Sequence, residues 1–470
     1  MGFALTVVYI VVTIISPEQF GPEWANYHAF MYLAGITFLF SLPAIFSRTE
    51  LRSSIQIYLM LAFIVSIALS AVANGWIGGA FASWQIFLPS AAVFFFIVAN
   101  VTTIRRLKIL TLASVASCLV VVVEALCGYY GGFRGNMFVL QQSLYSNDEV
   151  MGQVARLRGA GFLSDPNDFA QILIIALPLV SIAWQKRRGF AHALIVFIPA
   201  VTLLWAIYLT HSRGAFIALA LLALIAAKKR LGNTASVVLT AGLVLVMVAL
   251  DFTGNRGISL VEGADRVEAW TSGLEMFKSA PLFGVGFGNF TNFNDITAHN
   301  SFVLCLAELG IVGSTIWVGL LVTTILSLNR IIKIQEPRRV RASAEDAENM
   351  KETASFAAGL CPSDSFSTEA ITTTNATDVG LKAEPMHRSI IPEHWPVAMR
   401  LALIGFMATS WFLSRSYQTP MYLIVGLATA TIGLQRPSAQ SRIRNRWVFS
   451  ALAVEAVAIT VIYGIGQLRH

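Results

Sequence analysis

The sequence predicts an all-α polytopic membrane protein with about twelve or thirteen transmembrane helices. The first observation is composition: of 470 residues, 56% are hydrophobic and only 13% are charged, with 31 Phe and 10 Trp. The second is a mean hydropathy of +0.67. The third is that apolar runs long enough to cross roughly 30 Å of hydrocarbon recur along the whole chain. Such a chain is embedded mainly in lipid.

Each predicted helix is an apolar run bounded by polar residues. Several runs are short or contain glycine, so their number stays at about twelve or thirteen. A count of thirteen would put the two termini on opposite sides of the membrane, whereas an interfacial last helix would leave them on the same side. The predicted spans are 3–16, 29–46, 55–73, 84–101, 109–127, 169–184, 190–209, 214–227, 235–252, 301–328, 397–413, 421–434 and 448–466.

The net charge of +7 does not indicate nucleic-acid binding. The distribution of the Lys and Arg residues instead indicates how the chain is oriented in the membrane. Lys and Arg residues fall in short clusters between alternate spans, and by the positive-inside rule these clusters lie in the cytoplasm. The loops between these clusters then face outward; they are 17–28, 74–83, 127–168, 210–213, 253–300 and 414–420. The basic clusters are 48–52, 105–108, 186–188, 228–230 and 436–446.

Three regions follow from this pattern. Residues 1–329 are predicted to form a transmembrane bundle with the outward loops, and 397–470 to form C-terminal transmembrane helices. Between them, 330–396 is rich in Ala, Ser, Thr, Glu, Asp and Pro, which predicts a largely disordered cytoplasmic linker. The four cysteines are too few and too scattered for a disulfide framework or a metal site.

The candidate catalytic residue is His299, which with Asn300 stands where an outward loop turns into the apolar run from Ser301. An imidazole at the first turn of a spanning helix can meet a lipid-linked substrate while still touching water. The alternative is that His299 only caps a helix. On a continuous helix Gly310 and Gly313 would return to nearly the face of His299, and Glu308 would point away from it.

Two outward arginines are candidate phosphate ligands. Asp265 and Glu268 have capping-box spacing, which predicts an amphipathic helix with Arg266 in its first turn. Lys278 would then lie in its last turn, and Pro281 would follow its end. Arg213 is predicted to begin a span, with Ser212 as its N-cap. A guanidinium at a helix N-terminus suits phosphate, although arginines near helix ends also snorkel to lipid headgroups.

A third outward stretch, 156–169, runs from a basic loop through a turn into a span. Arg156 and Arg158 are candidate ligands for phosphate or sugar oxygens. Asp168 is a candidate acceptor for sugar hydroxyls. For Asp165, which precedes Pro166, a turn and helix cap is the favoured role.

These motifs resemble the bacterial O-antigen ligase and O-antigen polymerase superfamily. The pattern is His299-Asn300, nine residues, then Gly310-x-x-Gly313. The resemblance is good over about 156–313 and otherwise rests on topology. It also includes Ser212-Arg213-Gly214, Arg266-x-x-x-Trp270, the glycine-rich run 281–290, Arg158-Gly-x-Gly and Asp165-Pro-Asn167.

The resemblance implies a metal-independent inverting glycosyltransferase of the bacterial inner membrane, without a cofactor, whose active site lies on a periplasmic helical loop. Its donor would be a glycan on undecaprenyl diphosphate, and its acceptor lipid A core, another glycan or a protein. Arg213 and Arg266 would bind the diphosphate, and His299 would position or deprotonate the acceptor hydroxyl. Trp270, Ser212 and Asn300 are further substrate-binding candidates carried by the same motifs.

Four functions remain open at this stage. O-antigen ligation in lipopolysaccharide biosynthesis is favoured, followed by polymerisation of O-antigen or exopolysaccharide and by protein O-glycosylation. The non-enzymatic alternative is a small-solute transporter, which would have polar groups near the bilayer midplane and paired broken helices. Independently of the resemblance, nearby arginines and a helix N-terminus both disfavour imidazolium, so they would keep His299 neutral and able to accept a proton.

Overall fold

The computed structural model describes residues 1–17, 29–47, 54–146, 149–185, 189–249, 260–358, 391–435 and 447–467. It confirms the prediction of an all-α polytopic membrane protein. Within these residues, eight helices are long and apolar enough to cross a membrane, and three shorter helices are also apolar.

The helices are numbered in chain order, and at least one of them overlaps each predicted span. The long elements are α1 (Gly2–Ile15), α2 (Ala29–Ser47), α3 (Ile55–Ala73), α4 (Ile77–Asn100), α5 (Ile104–Gly131), α7 (Pro166–Leu179), α8 (Gly189–Leu209), α9 (Arg213–Ala249), α10 (Leu260–Ser279), α12 (Ser301–Ala358), α13 (His394–Ser410), α14 (Thr419–Leu434) and α15 (Trp447–Gln467); α6 (Gly135–Phe138) and α11 (Phe290–Phe293) are single turns.

Two predicted spans lie within α9. Gly232 interrupts this helix with a φ of 79°, so its two parts correspond to the predicted spans 214–227 and 235–252. Glycine suits this position because other L-residues rarely adopt a positive φ. The end of the second predicted span, 250–252, lies outside the described residues.

The helix α12 extends beyond its predicted span. It runs to Ala358 and so enters the stretch expected to be a linker. Residues 359–390 lie outside the described part of the chain, and α13 begins at His394.

A two-stranded antiparallel sheet in the loop 127–168 is an element that the sequence reading did not include. Strand β1 (Val139–Ser146) pairs with β2 (Glu149–Leu157), from Val139 opposite Leu157 to Ser146 opposite Glu149, with an irregularity between Leu144 and Tyr145. Phe138 and Leu157 are buried at the base of this hairpin. The hairpin ends beside α7 and carries Arg156.

Hydrogen bonds between α7 and α13 hold these two helices together near the predicted site. The Nε2 group of Gln171 in α7 donates hydrogen bonds to the hydroxyls of Thr409, at 2.9 Å, and Ser410, at 3.2 Å. All three side chains are buried. Because buried polar groups need such partners, these bonds fix the start of α7 against the end of α13.

The prediction of a continuous helix through Gly310 is wrong. Gly310 has φ 62° and ψ −166°, which interrupts α12. A Cβ atom at Gly310 would lie 2.5 Å from the carbonyl carbon of Leu282, so both backbone conformation and space require glycine. Gly310 and Gly313 therefore do not form one helical face with His299.

Backbone from the glycine-rich run 281–286 fills the interruption. The amides of Val285 and Gly286 donate to the carbonyls of Ala307, at 2.9 Å, and Glu308, at 3.2 Å. In the opposite direction, the amides of Ile311 and Val312 donate to the carbonyls of Pro281, at 2.9 Å, and Leu282, at 3.2 Å. Since water is scarce in a bilayer, these bonds replace the helical ones that the break removes.

Candidate active site

His299 stands in a short connection whose conformation is fixed on both sides. Its backbone has a φ of 45°, which is uncommon for a residue with a side chain. Before it, the indole Nε1 of buried Trp270 donates to the carbonyl oxygen of Ala298 at 2.8 Å. Trp270 thus supports the backbone that carries His299.

After His299, Asn300 begins α12 as its cap. Its Oδ1 atom accepts from the amides of Phe302, at 2.9 Å, and Val303, at 3.2 Å. Asn300 is fully buried. The capping role considered for His299 therefore belongs to Asn300, and the imidazole stands one residue ahead of the helix.

Arg213 is the first residue of α9, as the sequence predicted. The hydroxyl of buried Ser212 accepts from the amide of Ala215 at 3.4 Å, and the Ser212 carbonyl accepts from the amide of Phe216 at 3.0 Å. Ser212 is therefore the predicted cap. Arg213 itself is half-buried.

Arg266 lies in α10, but not in its first turn. The helix already includes Leu260, so the prediction that Asp265 begins it is wrong, and Arg266 lies in the second turn. Local spacing could not show this because the apolar residues before Asp265 also fit a helix. Lys278 is in the last turn, and Pro281 follows the helix, as predicted.

Arg213 and Arg266 line one cleft. The open space in and around its mouth, solvent included, is about 380 Å³. The wall comes from the start of α7, the start of α9, α10 and the end of α13 with its following segment. The lining residues are Asn167, Ser212, Arg213, Gly214, Ala215, Arg266, Thr409, Phe412 and Leu413.

The electrostatic surroundings of His299 join it to the same region. Its pKa lies below the ordinary value, first because the half-buried imidazole loses solvation and second because the Arg266 guanidinium repels a proton. Arg415 lowers the pKa further, while the Asp165 carboxylate opposes the shift. The balance leaves a neutral imidazole near pH 7, with a lone pair able to accept a proton.

The two other candidate arginines have protein partners. Buried Arg156 donates to the Thr210 carbonyl at 2.8 Å, to Gln142 Oε1 at 2.9 Å and to Asn167 Oδ1 at 2.9 Å. It thereby connects β2 with the segment before Arg213 and with a residue of the cleft.

Arg158 binds backbone in the same loop. Its guanidinium donates to the carbonyls of Met137 at 3.0 Å, Asn136 at 2.7 Å and Ser164 at 3.4 Å. It does not line the cleft described above. Asp165 caps α7, as favoured from the sequence, because its side chain accepts from the Asn167 amide at 2.7 Å.

Asp168 forms an ion pair with Arg415, a residue that the sequence reading did not single out. Both carboxylate oxygens of buried Asp168 take part, with Nε and Nη2 of the guanidinium. The same signal that identified Arg213 and Arg266, an arginine in a loop expected to face outward, also applies to Arg415.

Comparison with known proteins agrees with the predicted resemblance. Residues 198–318 match the O-antigen ligase family. This confirms the resemblance to the O-antigen ligase superfamily. The matched region includes Arg213 and Arg266 of the cleft, together with His299 and Gly310. No curated protein sequence matches the chain.

The match over residues 198–318 agrees with a glycosyltransferase-type enzyme. The apolar helices agree with a multi-pass membrane protein. Arg213 lines the cleft together with Arg266, and Arg266 is among the charges that lower the pKa of His299.

Proposed function

We propose that this protein transfers a glycan from undecaprenyl diphosphate to an acceptor hydroxyl at the periplasmic face of the bacterial inner membrane. The favoured reaction is O-antigen ligation to lipid A core, with membrane lipids surrounding the enzyme. The observation that carries the proposal is that Arg213 and Arg266 line one cleft and that Arg266 acts electrostatically on His299.

The two arginines suit a diphosphate leaving group. As the bond between the sugar and the phosphate oxygen breaks, negative charge grows on the diphosphate. Guanidinium groups are permanently charged and donate paired hydrogen bonds to phosphate oxygens. Because they are already in place, they stabilise this charge without reorganising, and removing one such donor typically costs about 3–4 kcal/mol of transition-state stabilisation. The proposed reaction therefore has no metal requirement.

The neutral imidazole of His299 suits the other half of the reaction. It would accept the proton of the acceptor hydroxyl while the oxygen attacks the anomeric carbon from the face opposite the diphosphate. One C–O bond forms as the other breaks, the electron pair leaves with undecaprenyl diphosphate, and the anomeric configuration inverts. His299 then releases its proton to water.

The periplasmic orientation is supported by the distribution of charge. The basic clusters, such as the one that includes Arg105 and Arg106 at the start of α5, occur between alternate spans. His299, Arg213 and Arg266 belong to the intervening loops. By the positive-inside rule the cleft then opens away from the cytoplasm.

Glycan polymerisation and protein O-glycosylation would use the same site with another acceptor. A purified full-length protein in proteoliposomes, given undecaprenyl-diphosphate-linked glycan with and without lipid A core, separates them. Attachment of glycan to lipid A core supports ligation. Lengthening of the donor glycan without an acceptor indicates a polymerase, and transfer only to added protein indicates an oligosaccharyltransferase. Absence of transfer to every acceptor contradicts the proposal.

The break in α12 makes solute transport a relevant alternative, because transporters bind solutes at broken helices. Here the amides and carbonyls around Gly310 bind the backbone of 281–286. The hydroxyl of Ser70 also donates to the Glu308 carbonyl at 2.6 Å. These bonds occupy the break, which favours an architectural role for it.

A further inference from the structure

A third guanidinium lies beside the cleft. Arg415 belongs to the segment 411–418 that follows α13. Buried Asp168 binds the Nε and Nη2 edge of its guanidinium with both carboxylate oxygens. The Nη1 group makes no hydrogen bond to a residue in the described part of the chain, and the Arg415 side chain remains 33% exposed. One edge of the guanidinium is thus fixed and a donor edge is available.

The segment around Arg415 is fastened to the start of α12. The amide of Arg415 donates to the Ser301 hydroxyl at 2.9 Å, and that hydroxyl donates to the carbonyl of Leu413 at 2.5 Å. The hydroxyl of Ser416 donates to the Ser301 carbonyl at 2.7 Å. Ser301 is two residues after His299, and Leu413 lines the cleft. The segment that carries Arg415 is therefore tied to the start of α12, next to His299, and reaches the cleft at Leu413.

The charged groups that act on His299 support the placement of Arg415 near the candidate site. The groups that act on the imidazole of His299 are Arg266 from α10, Asp165 from the start of α7, and Arg415 from the segment 411–418. Of these, the two arginines both lower the pKa of His299. Two cations from different elements therefore lower the pKa of the imidazole.

We propose that Arg415 is a third substrate-contacting cation, which binds the diphosphate of the lipid-linked donor through its Nη1 edge, and that Asp168 is its positioning residue. This rests on the proposed function. Since the ion pair with Asp168 has little net charge, Arg415 contributes chiefly through directed hydrogen bonds. Lysine, which lacks the fork, cannot take both the Asp168 pair and the phosphate in the same geometry.

Binding of undecaprenyl diphosphate and undecaprenyl monophosphate to the full-length protein in nanodiscs tests the inference. We expect Arg415→Gln to weaken binding of the diphosphate about tenfold, as for loss of a hydrogen bond to a charged group, and to affect the monophosphate much less. Arg415→Lys should recover only part of the loss. Arg134→Gln, which removes an exposed arginine from another loop, is the matched control and should bind both lipids as the wild type does.

The preference for diphosphate over monophosphate separates substrate contact from a purely structural role. A residue that only fastened the segment would reduce thermal stability and weaken the binding of both lipids alike. Asp168→Asn, which leaves Arg415 in place but loosens it, should weaken diphosphate binding less than Arg415→Gln.

The outcomes are distinguishable. If Arg415→Gln binds undecaprenyl diphosphate as tightly as the wild type while Arg266→Gln does not, the inference is overturned and the proposed function stands. If the wild type does not bind undecaprenyl diphosphate, the proposed function fails. If Arg415→Gln does not fold, Arg415→Lys provides the test instead. Binding of undecaprenyl diphosphate by Arg415→Lys with wild-type affinity and an unchanged preference for diphosphate would overturn the inference.

Discussion

The two ends of the short first part of α12, residues 301–309, differ in how their backbone polar groups are hydrogen-bonded. At the His299 end, Asn300 caps two amides, and the neighbouring cleft presents Arg213 and Arg266. At the Gly310 end, the glycine-rich run 281–286 binds the interrupted backbone. One short motif therefore combines an end beside the cleft with a closed architectural joint, and substitutions at the two ends should have different consequences.

The largest expected effect is on catalysis at the His299 end. His299→Ala should lower kcat for glycan transfer by about 10²–10⁴-fold, because the acceptor hydroxyl loses its general base. Arg266→Ala should lower transfer by about 10²–10³-fold through loss of leaving-group stabilisation. Transfer in proteoliposomes measures both. Thermal unfolding should match that of the wild type, and near-normal transfer by either variant would reject the role assigned to that residue.

The next effect is on stability at the Gly310 end. Gly310→Ala should lower the free energy of unfolding by about 2–5 kcal/mol, since the methyl group meets the Leu282 backbone and alanine disfavours the positive φ. Denaturant titration in detergent measures it. Gly433→Ala is the control, because a Cβ atom there meets nothing within 4 Å. Equal stability of the two variants would contradict the architectural role of Gly310.

A smaller effect is expected where Trp270 supports the histidine. Trp270→Phe keeps an aromatic ring but removes the donor to the Ala298 carbonyl, so kcat/KM should fall up to about tenfold, the equivalent of one hydrogen bond of about 1 kcal/mol. Thr271→Val, on the exposed side of α10, is a control that removes a hydrogen bond within the helix. If kcat/KM falls in Thr271→Val but not in Trp270→Phe, Trp270 does not position His299.

The smallest effect concerns pH. Burial and Arg266 lower the pKa of His299, so the neutral, active imidazole persists to lower pH than an ordinary histidine would. The acidic limb of the wild-type kcat/KM profile should therefore lie below pH of about 6.5. An acidic limb at or above that value would show that the surroundings of His299 favour its protonated form.

The comparison also explains what the sequence could predict. The spans were predictable because hydrophobicity is a local property of each run, and the caps Ser212 and Asp165 were predictable because capping is local as well. The break at Gly310 was not, because the apolar sequence continues through it and the backbone that fills it comes from 281–286. Arg415 was overlooked because its partners Asp168 and Ser301 belong to distant parts of the chain.

Binding of undecaprenyl diphosphate by wild type, Arg213→Gln, Arg266→Gln and the double variant tests the central claim most directly. If both guanidiniums contact one diphosphate, each substitution weakens binding, and the double variant departs from additivity by about 0.5–3 kcal/mol. Additive effects within a few tenths of a kcal/mol, or wild-type affinity in either single variant, would contradict a shared diphosphate site.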